Sequence, residues 1–174
     1  KDCVWGKKWL AEQDYIDSNA IGIYGGSYGG CMVLNALCFY PDEFKAGVDL
    51  YGVANWLRTL RNIPPYWESF KKALYDEMGD PNTADSIMLK NTSALYNYQK
   101  ITKPLIVFQG ANDVRVLKVE SDEIVEGVKK NGVPVEYVIY PDEGHGFVKK
   151  ENLVTTDKRA LEFLEKYMKP KTAG

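Results

Sequence analysis

The sequence predicts an α/β fold with a mainly parallel sheet of about four strands flanked by helices. Two observations carry this prediction. Short apolar runs alternate along the chain with longer stretches of helical period. The composition, 45% apolar and 26% charged, is that of an ordinary globular protein. The 174 residues correspond to about one domain with a substantial core.

Four apolar runs are the expected strands. The first covers 20–24 and ends at Gly25-Gly26; the others cover 46–51, 104–109 and 133–140. In a parallel sheet the ligand site lies at the carboxyl ends of the strands. Chemistry is therefore expected near the strand ends Gly25, Tyr51, Gln109 and Tyr140.

Helices are expected between and after these strands, at 1–12, 28–40, 117–131 and 156–168. Gly132 supplies a stop signal after the third of them. Residues 52–100 interrupt the alternation with a polar, aromatic-rich stretch that contains Pro64-Pro65 and Pro81. This stretch predicts short helices inserted between two strands rather than a separate domain.

Charge and hydropathy argue against two classes of partner. Lys plus Arg is 22 and Asp plus Glu is 24, which gives a net charge of −2. A chain of this charge has no field that favours nucleic acid or an anionic membrane surface. No apolar run approaches the roughly 18 residues of a membrane span.

The cysteines and the histidine argue against a disulfide framework and a metal site. Cys3, Cys31 and Cys38 are few and odd in number, and Cys31 and Cys38 lie seven apart on an expected helix. That spacing is roughly 10 Å, too far for a disulfide, so both are expected as small core groups. With one histidine and no Cys-x-x-Cys pair, no metal is expected. Three unpaired cysteines slightly favour a reducing, cytoplasmic compartment.

Ser27 is the candidate nucleophile. It stands in Gly25-Gly26-Ser27-Tyr28-Gly29, which follows an expected strand and opens an expected helix. A Gly-x-Ser-x-Gly sequence in this context predicts a sharp, strained turn that exposes the serine Oγ. The flanking glycines are expected because a Cβ there would clash with the neighbouring strand and helix. A glycine-rich turn with an incidental serine is the alternative.

His145 and Asp113 are the candidate partners of that serine. A serine hydroxyl needs a base, and His145, on a glycine-flanked loop after the last strand, is the one histidine of the chain. Asp113 follows the strand that ends near Gln109, and the order Ser27, Asp113, His145 is that of α/β-hydrolases. The other acidic candidates for the third position are Asp142, Glu143 and Asp49. Asp142 and Glu143 are more simply explained as turn-forming groups, and Asp49 lies within a strand.

The oxyanion site is only half accounted for. The backbone N–H of Tyr28, the residue after the nucleophile, is one expected donor. The second donor ordinarily comes from a segment upstream of the nucleophile strand, and the 26 residues before Ser27 contain no His-Gly-Gly run. The site is therefore expected to be incomplete within this chain.

Several segments resemble the prolyl oligopeptidase family of serine peptidases, most closely its acylaminoacyl- and dipeptidyl-peptidase-like bacterial branch. The nucleophile segment 22–30, GIYGGSYGG, carries the resemblance first. The other matching segments are 44–49 (FKAGVD), 63–67 (IPPYW), 78–81 (MGDP), 109–116 (QGANDVRV) and 140–147 (YPDEGHGF). The resemblance implies a triad of Ser27, Asp113 and His145 and no metal or organic cofactor.

The resemblance also implies substrate-binding residues. Arg115 matches a position that contacts a substrate carbonyl in some members. Val53, Trp56 and Val116 match positions that line the pocket for the residue before the scissile bond. Taken alone, Trp56 is equally well explained as core packing.

The family's architecture extends beyond this chain. Members carry an N-terminal β-propeller and early strands of an α/β-hydrolase domain. The resemblance therefore implies that residues 1–174 are a single, truncated catalytic domain with a partial α/β-hydrolase fold. Without those strands, the strand at 20–24 is expected to be an unprotected sheet edge. We expect self-association along that edge, or a partner chain that supplies the missing strands. Members with this motif set are often exported, which leaves the compartment open.

The functional prediction is a serine hydrolase, a prolyl-oligopeptidase-like peptidase that cleaves short peptides through an acyl-enzyme. A carboxylesterase of the same fold is the alternative within enzymes, because the triad chemistry is shared. A catalytically incomplete fragment or a non-catalytic interaction module is the alternative outside enzymes. The sequence leaves the particular peptide or ester undefined.

Overall fold

A computed structural model describes residues 1–169 and contains one four-stranded sheet with helices on both faces. The strands are β1 (Ile23–Gly26), β2 (Gly47–Leu50), β3 (Leu105–Gly110) and β4 (Val135–Tyr140). They pair in chain order, and every pairing is parallel. The predicted α/β fold with a parallel sheet of about four strands is confirmed.

Within residues 1–169, seven α-helices accompany the sheet. They are α1 (Asp2–Ala11), α2 (Tyr28–Phe39), α3 (Trp56–Arg61), α4 (Lys71–Met78), α5 (Asp85–Thr92), α6 (Lys118–Lys129) and α7 (Lys150–Met168). Helices α3 to α5, with 3-10 turns at Pro65–Phe70, Ala94–Tyr96 and Tyr98–Lys100, all lie between β2 and β3. The predicted helical insertion is therefore present where it was expected.

The largest differences from the expected element boundaries are at β1 and α7. Strand β1 starts at Ile23 and runs through Gly25 and Gly26, so the two glycines belong to the strand instead of ending it. Helix α7 begins six residues before the expected start at 156, because its first turns bury no apolar face. Leu153 and Val154 there are 43% and 57% exposed, so apolar periodicity gives no signal for them.

The core lies on both faces of the sheet. Along β3, Leu105 and Val107 pack with α2 and α6, whereas Ile106 and Phe108 pack on the α7 side. All four side chains are fully buried, as expected for a parallel strand covered on both faces. Cys31 and Cys38 are buried free thiols, as predicted, and Cys3 is exposed.

Within residues 1–169 the two outer strands of the sheet, β1 and β4, each pair on one side only. Strand β1 is the first strand of the sheet and pairs only with β2 among residues 1–169. Tyr24 on this strand is 54% exposed. Association through this edge stays a prediction. None of the helices within residues 1–169 has the length and hydropathy needed to cross a membrane.

Candidate active site

The backbone at Ser27 makes a strained turn between β1 and α2. Ser27 has φ 56° and ψ −116°, a conformation that L-residues rarely adopt. Its N–H donates to the Leu50 carbonyl over 2.9 Å, which ties the turn to β2. Ser27 is also the N-cap of α2, but its side chain makes no capping hydrogen bond. The Oγ is therefore available to another partner.

The two glycines of the motif differ in what they contribute. A Cβ on Gly25 would lie 2.5 Å from the carbonyl oxygen of Gly29, so only glycine fits there. A Cβ on Gly29 would meet nothing within 4 Å. The expectation that both glycines are sterically required is correct for Gly25 and wrong for Gly29, because the Gly29 hydrogens face open space.

Ser27, His145 and Asp113 form a continuous hydrogen-bonded chain at the carboxyl end of the sheet. The Nε2 of His145 lies 2.9 Å from the Oγ of Ser27. The Nδ1 of His145 lies 2.8 Å from the Oδ2 of Asp113. The imidazole side chain is 13% exposed and the carboxylate is fully buried. With Asp113 ionised, Nδ1 carries the imidazole hydrogen and Nε2 accepts from the serine hydroxyl.

The Asp113 carboxylate is held by its own loop and by one strand residue. Its Oδ1 accepts from the backbone N–H groups of Arg115 and Val116 over 2.8 and 2.9 Å. The amide of the buried Gln109 lies 3.4 Å from Oδ2, and Ser121 Oγ donates to Gln109 Oε1 over 2.7 Å. Sequence reasoning gave Gln109 no role. The feature of the sequence that could have indicated a role is that Gln109 is a polar residue at the end of an otherwise apolar strand.

The other acidic candidates have different partners. Asp142 pairs with Lys149 at the surface. Glu143 is 1% exposed and accepts from the backbone N–H groups of Val148 and Lys149, which shapes the histidine loop. Both contacts agree with the turn-forming role expected from the sequence.

Asp49 is buried in the sheet without a hydrogen-bond partner. It lies on β2 with 0% exposure, and neither carboxylate oxygen reaches hydrogen-bond geometry with a described residue. Burial raises the pKa of Asp49 to about 7, and the nearby N–H of Gly52 offsets only part of that rise. Asp49 is therefore protonated at mildly acidic pH, a property that sequence reasoning missed.

An apolar cavity of about 320 Å³ opens beside Ser27 and His145. All the residues expected from the sequence to surround a substrate line it: Tyr28, Val53, Trp56, Arg115 and Val116. Trp56 also packs against Cys31, Val53 and Val116, so its core and cavity roles are combined. As the first residue of α2, Tyr28 has a backbone N–H without an acceptor inside the helix.

The insertion between β2 and β3 supplies the rest of the cavity, which sequence reasoning did not assign. These lining residues are Thr59, Leu60, Ile63, Pro64, Trp67, Leu74, Glu77 and Met78. The guanidinium of Arg115 lies over the ring of Trp67, 5.6 Å from its centroid. The segment 63–67 is one of those that resemble the family, but its position beside the serine depends on tertiary packing that local sequence does not specify.

In this parallel sheet a serine lies on a strained strand-to-helix turn, and an imidazole and a carboxylate lie at the ends of the following strands. This arrangement defines the α/β-hydrolase class. The sequence also matches the model of the prolyl oligopeptidase family over residues 1–171. The chain belongs to this family.

Named relatives agree with that assignment. The chain is 44% identical over 152 residues to dipeptidyl aminopeptidase BIII of Pseudoxanthomonas mexicana, a match that covers 87% of this chain and 22% of the relative. It is 36% identical over 175 residues to dipeptidyl peptidase family member 6 of Caenorhabditis elegans, covering 92% and 23%. A crystal structure of puromycin hydrolase superposes with a TM-score of 0.88 at 25% identity, covering 99% of this chain and 26% of that one. The chain thus spans about a quarter of each of these proteins.

Proposed function

We propose that this chain carries the nucleophile, base and specificity pocket of a serine peptidase. The observation that carries the proposal is the chain of hydrogen bonds from Ser27 through His145 to Asp113, 2.9 and 2.8 Å long. The matched relatives are named as peptidases, which agrees with this chemistry.

The reaction follows from the positions of these groups. Ser27 Oγ attacks the substrate carbonyl carbon while its proton passes to Nε2 of His145. Asp113 holds the imidazole and stabilises its cationic form. The proton on Nε2 then passes to the leaving nitrogen as the C–N bond breaks, which leaves an ester on Ser27. Water, deprotonated by the same imidazole, hydrolyses that ester.

The backbone N–H of Tyr28 is the proposed donor to the oxyanion. It stands at the N-terminus of α2, where the helix dipole also favours negative charge. We propose that a second donor comes from outside the described residues, because the relatives that match this chain are about four times as long.

The cavity defines the proposed substrate class. Its volume of about 320 Å³ and its lining of Val53, Trp56 and Val116 fit one large apolar side chain. Arg115 is exposed and lines the cavity, which supports a contact with a peptide carbonyl. We propose short peptides with a large apolar residue before the scissile bond.

Two substrates separate peptidase from esterase activity. Hydrolysis of a phenylalanine anilide by the chain, lost in Ser27→Ala, supports a peptidase. Turnover of a short acyl ester without the anilide supports the carboxylesterase.

A further inference from the structure

Tyr51 has a strained backbone at the carboxyl end of β2. Its φ is 43°, and it shares a positive φ with Ser27 alone among the non-glycine residues from 1 to 169. For a tyrosine this conformation is costly, and such strain persists where the surrounding structure over-determines it. The N–H of Tyr51 donates to the Phe108 carbonyl over 2.7 Å, which fixes the strained residue to β3.

The strain turns the ring of Tyr51 toward His145. The two ring centroids are 4.9 Å apart with an interplanar angle of 62°. The same tyrosine ring packs edge-on against Phe147, 5.1 Å away. Phe147 in turn packs on Tyr140 at 4.9 Å, and the Tyr140 hydroxyl lies 2.9 Å from Thr156 Oγ1 on α7. A row of aromatic rings therefore connects the imidazole to the body of the domain.

The Tyr51 ring also contacts the turn that holds Ser27. A Cβ on Gly26 would lie 3.3 Å from the Cε2 and Oη atoms of Tyr51. The ring thus fills the space between the serine turn and the imidazole. A side chain at position 26 would therefore crowd the Tyr51 ring.

The loop that carries His145 is shaped by the buried Glu143 but is rich in glycine. Gly144 and Gly146 flank the histidine, and Gly146 has φ 81°. Glycines on both sides leave the backbone many accessible conformations. Packing from outside the loop therefore adds a restraint on the ring beyond its hydrogen bonds with Ser27 and Asp113.

We propose that Tyr51 is a positioning residue: its ring, directed by the strained backbone, holds the His145 imidazole in the single orientation that joins Ser27 to Asp113. This inference rests on the proposed function for its effect on rate. Its effect on the imidazole itself can be observed independently of any reaction.

Three variants separate the ring from the backbone strain. Tyr51→Phe keeps the ring and the strain. Tyr51→Gly removes the ring and relieves the strain, since glycine accepts a positive φ freely. Tyr51→Asn also removes the ring and tolerates the left-handed conformation better than most residues, so it serves as a second ring-free variant.

Two readouts are measured on each folded variant. The first is the rate constant for labelling of Ser27 by a fluorophosphonate. The second is the pair of imidazole nitrogen chemical shifts in the 15N-histidine-labelled protein, which report the tautomer. The chain has one histidine, so these signals need no assignment by mutation. Thermal unfolding is recorded in parallel.

If Tyr51 positions His145, the labelling rate constants of wild type and Tyr51→Phe agree within about twofold. Both proteins then show one Nδ1-protonated tautomer. Tyr51→Gly and Tyr51→Asn should label about tenfold or more slowly and show shifts averaged between tautomers. The glycine variant should do so even if it unfolds at a higher temperature than wild type. Stability and rate then move in opposite directions, which a merely structural role does not produce.

If either ring-free variant shows the wild-type imidazole shifts and is labelled within twofold of the wild-type rate, the proposal is overturned. An equal loss in Tyr51→Phe would also overturn it, because the ring would not be the active feature. If wild-type Ser27 is not labelled at all, the proposed function fails. The imidazole shifts of the variants still decide the role of Tyr51.

Discussion

The indole N–H of Trp56 donates a hydrogen bond to the Sγ of Cys31 over 3.1 Å. Cys31 lies on α2, 1% exposed, and burial raises the pKa of its thiol to about 12. The thiol is therefore neutral and unreactive at physiological pH. Its contact fixes the tryptophan that forms one wall of the cavity beside Ser27. A cysteine expected only as a core group thus supports one wall of the cavity beside Ser27.

Replacing Cys31 by alanine should weaken substrate binding more than chemistry. The change removes the hydrogen-bond acceptor for Trp56 and leaves a small void behind the indole. Together these effects lower the free energy of unfolding by on the order of 1–2 kcal/mol. We expect KM for a phenylalanine anilide to rise about three- to tenfold with little change in kcat. Cys38→Ala is the matched control, since Cys38 is equally buried on α2 but lies outside the cavity lining. Equal KM values for the two variants would contradict this role for Cys31.

Gly25 and Gly29 should respond differently to alanine, although both belong to the serine motif. A methyl on Gly25 collides with the backbone of Gly29, whereas a methyl on Gly29 enters open space. We expect Gly25→Ala to lower the free energy of unfolding by about 2 kcal/mol or more. Gly29→Ala should stay within about 0.5 kcal/mol of wild type. Urea unfolding measures both, and similar losses in the two variants would show that the turn is packed differently.

Asp49 should make the protein less stable as the pH rises. Its folded pKa, about 7, is above the ordinary value of 3.8, so the folded state binds the extra proton between these values. Stability from this group is fully present below about pH 4 and is lost as pH rises toward 7. Asp49→Asn removes that titration.

The measurement for Asp49 is the free energy of unfolding at two pH values. Between about pH 5 and pH 8, wild type should lose about 2–3 kcal/mol relative to Asp49→Asn. Asp42→Asn is the control, because the Asp42 side chain is 97% exposed and should not alter the slope. If the free energy of unfolding changes with pH equally in wild type and Asp49→Asn, Asp49 is ionised or solvated in the folded protein.

The sequence predicted the sheet and the grouping of Ser27, His145 and Asp113 for identifiable reasons. Strands β2 and β3 are apolar runs buried on both faces, which produces a strong local signal. Strands β1 and β4 are only partly buried, and their apolar residues still mark them as short runs. Ser27 lies in a motif that requires a particular turn, and a single histidine left one candidate base. Tyr51 gave no such signal, because a positive φ is unfavourable for tyrosine and no composition rule predicts it. The cavity lining from α3 and α4 depends on how the insertion packs, which local periodicity does not specify.

The open edge of β1 should cause self-association. Ile23 and Ser27 donate their N–H groups toward the β2 side, so the N–H of Tyr24 between them faces away from β2. With its exposed aromatic side chain, this edge is suited to pair with a second copy. We expect sedimentation at micromolar concentration to show a dimer or larger species, and Tyr24→Lys to shift it to monomer. A monomeric wild-type protein with a well-dispersed NMR spectrum would contradict this prediction.

The most direct test of a competent serine nucleophile is covalent labelling by a fluorophosphonate followed by mass spectrometry. The hydrogen bonds from Ser27 to His145 and on to Asp113 predict one adduct, on Ser27, that is absent in His145→Ala. Circular dichroism verifies that both proteins are folded. No adduct on folded wild-type protein, or an adduct that persists without the imidazole, would contradict the assignment of these residues as nucleophile and base.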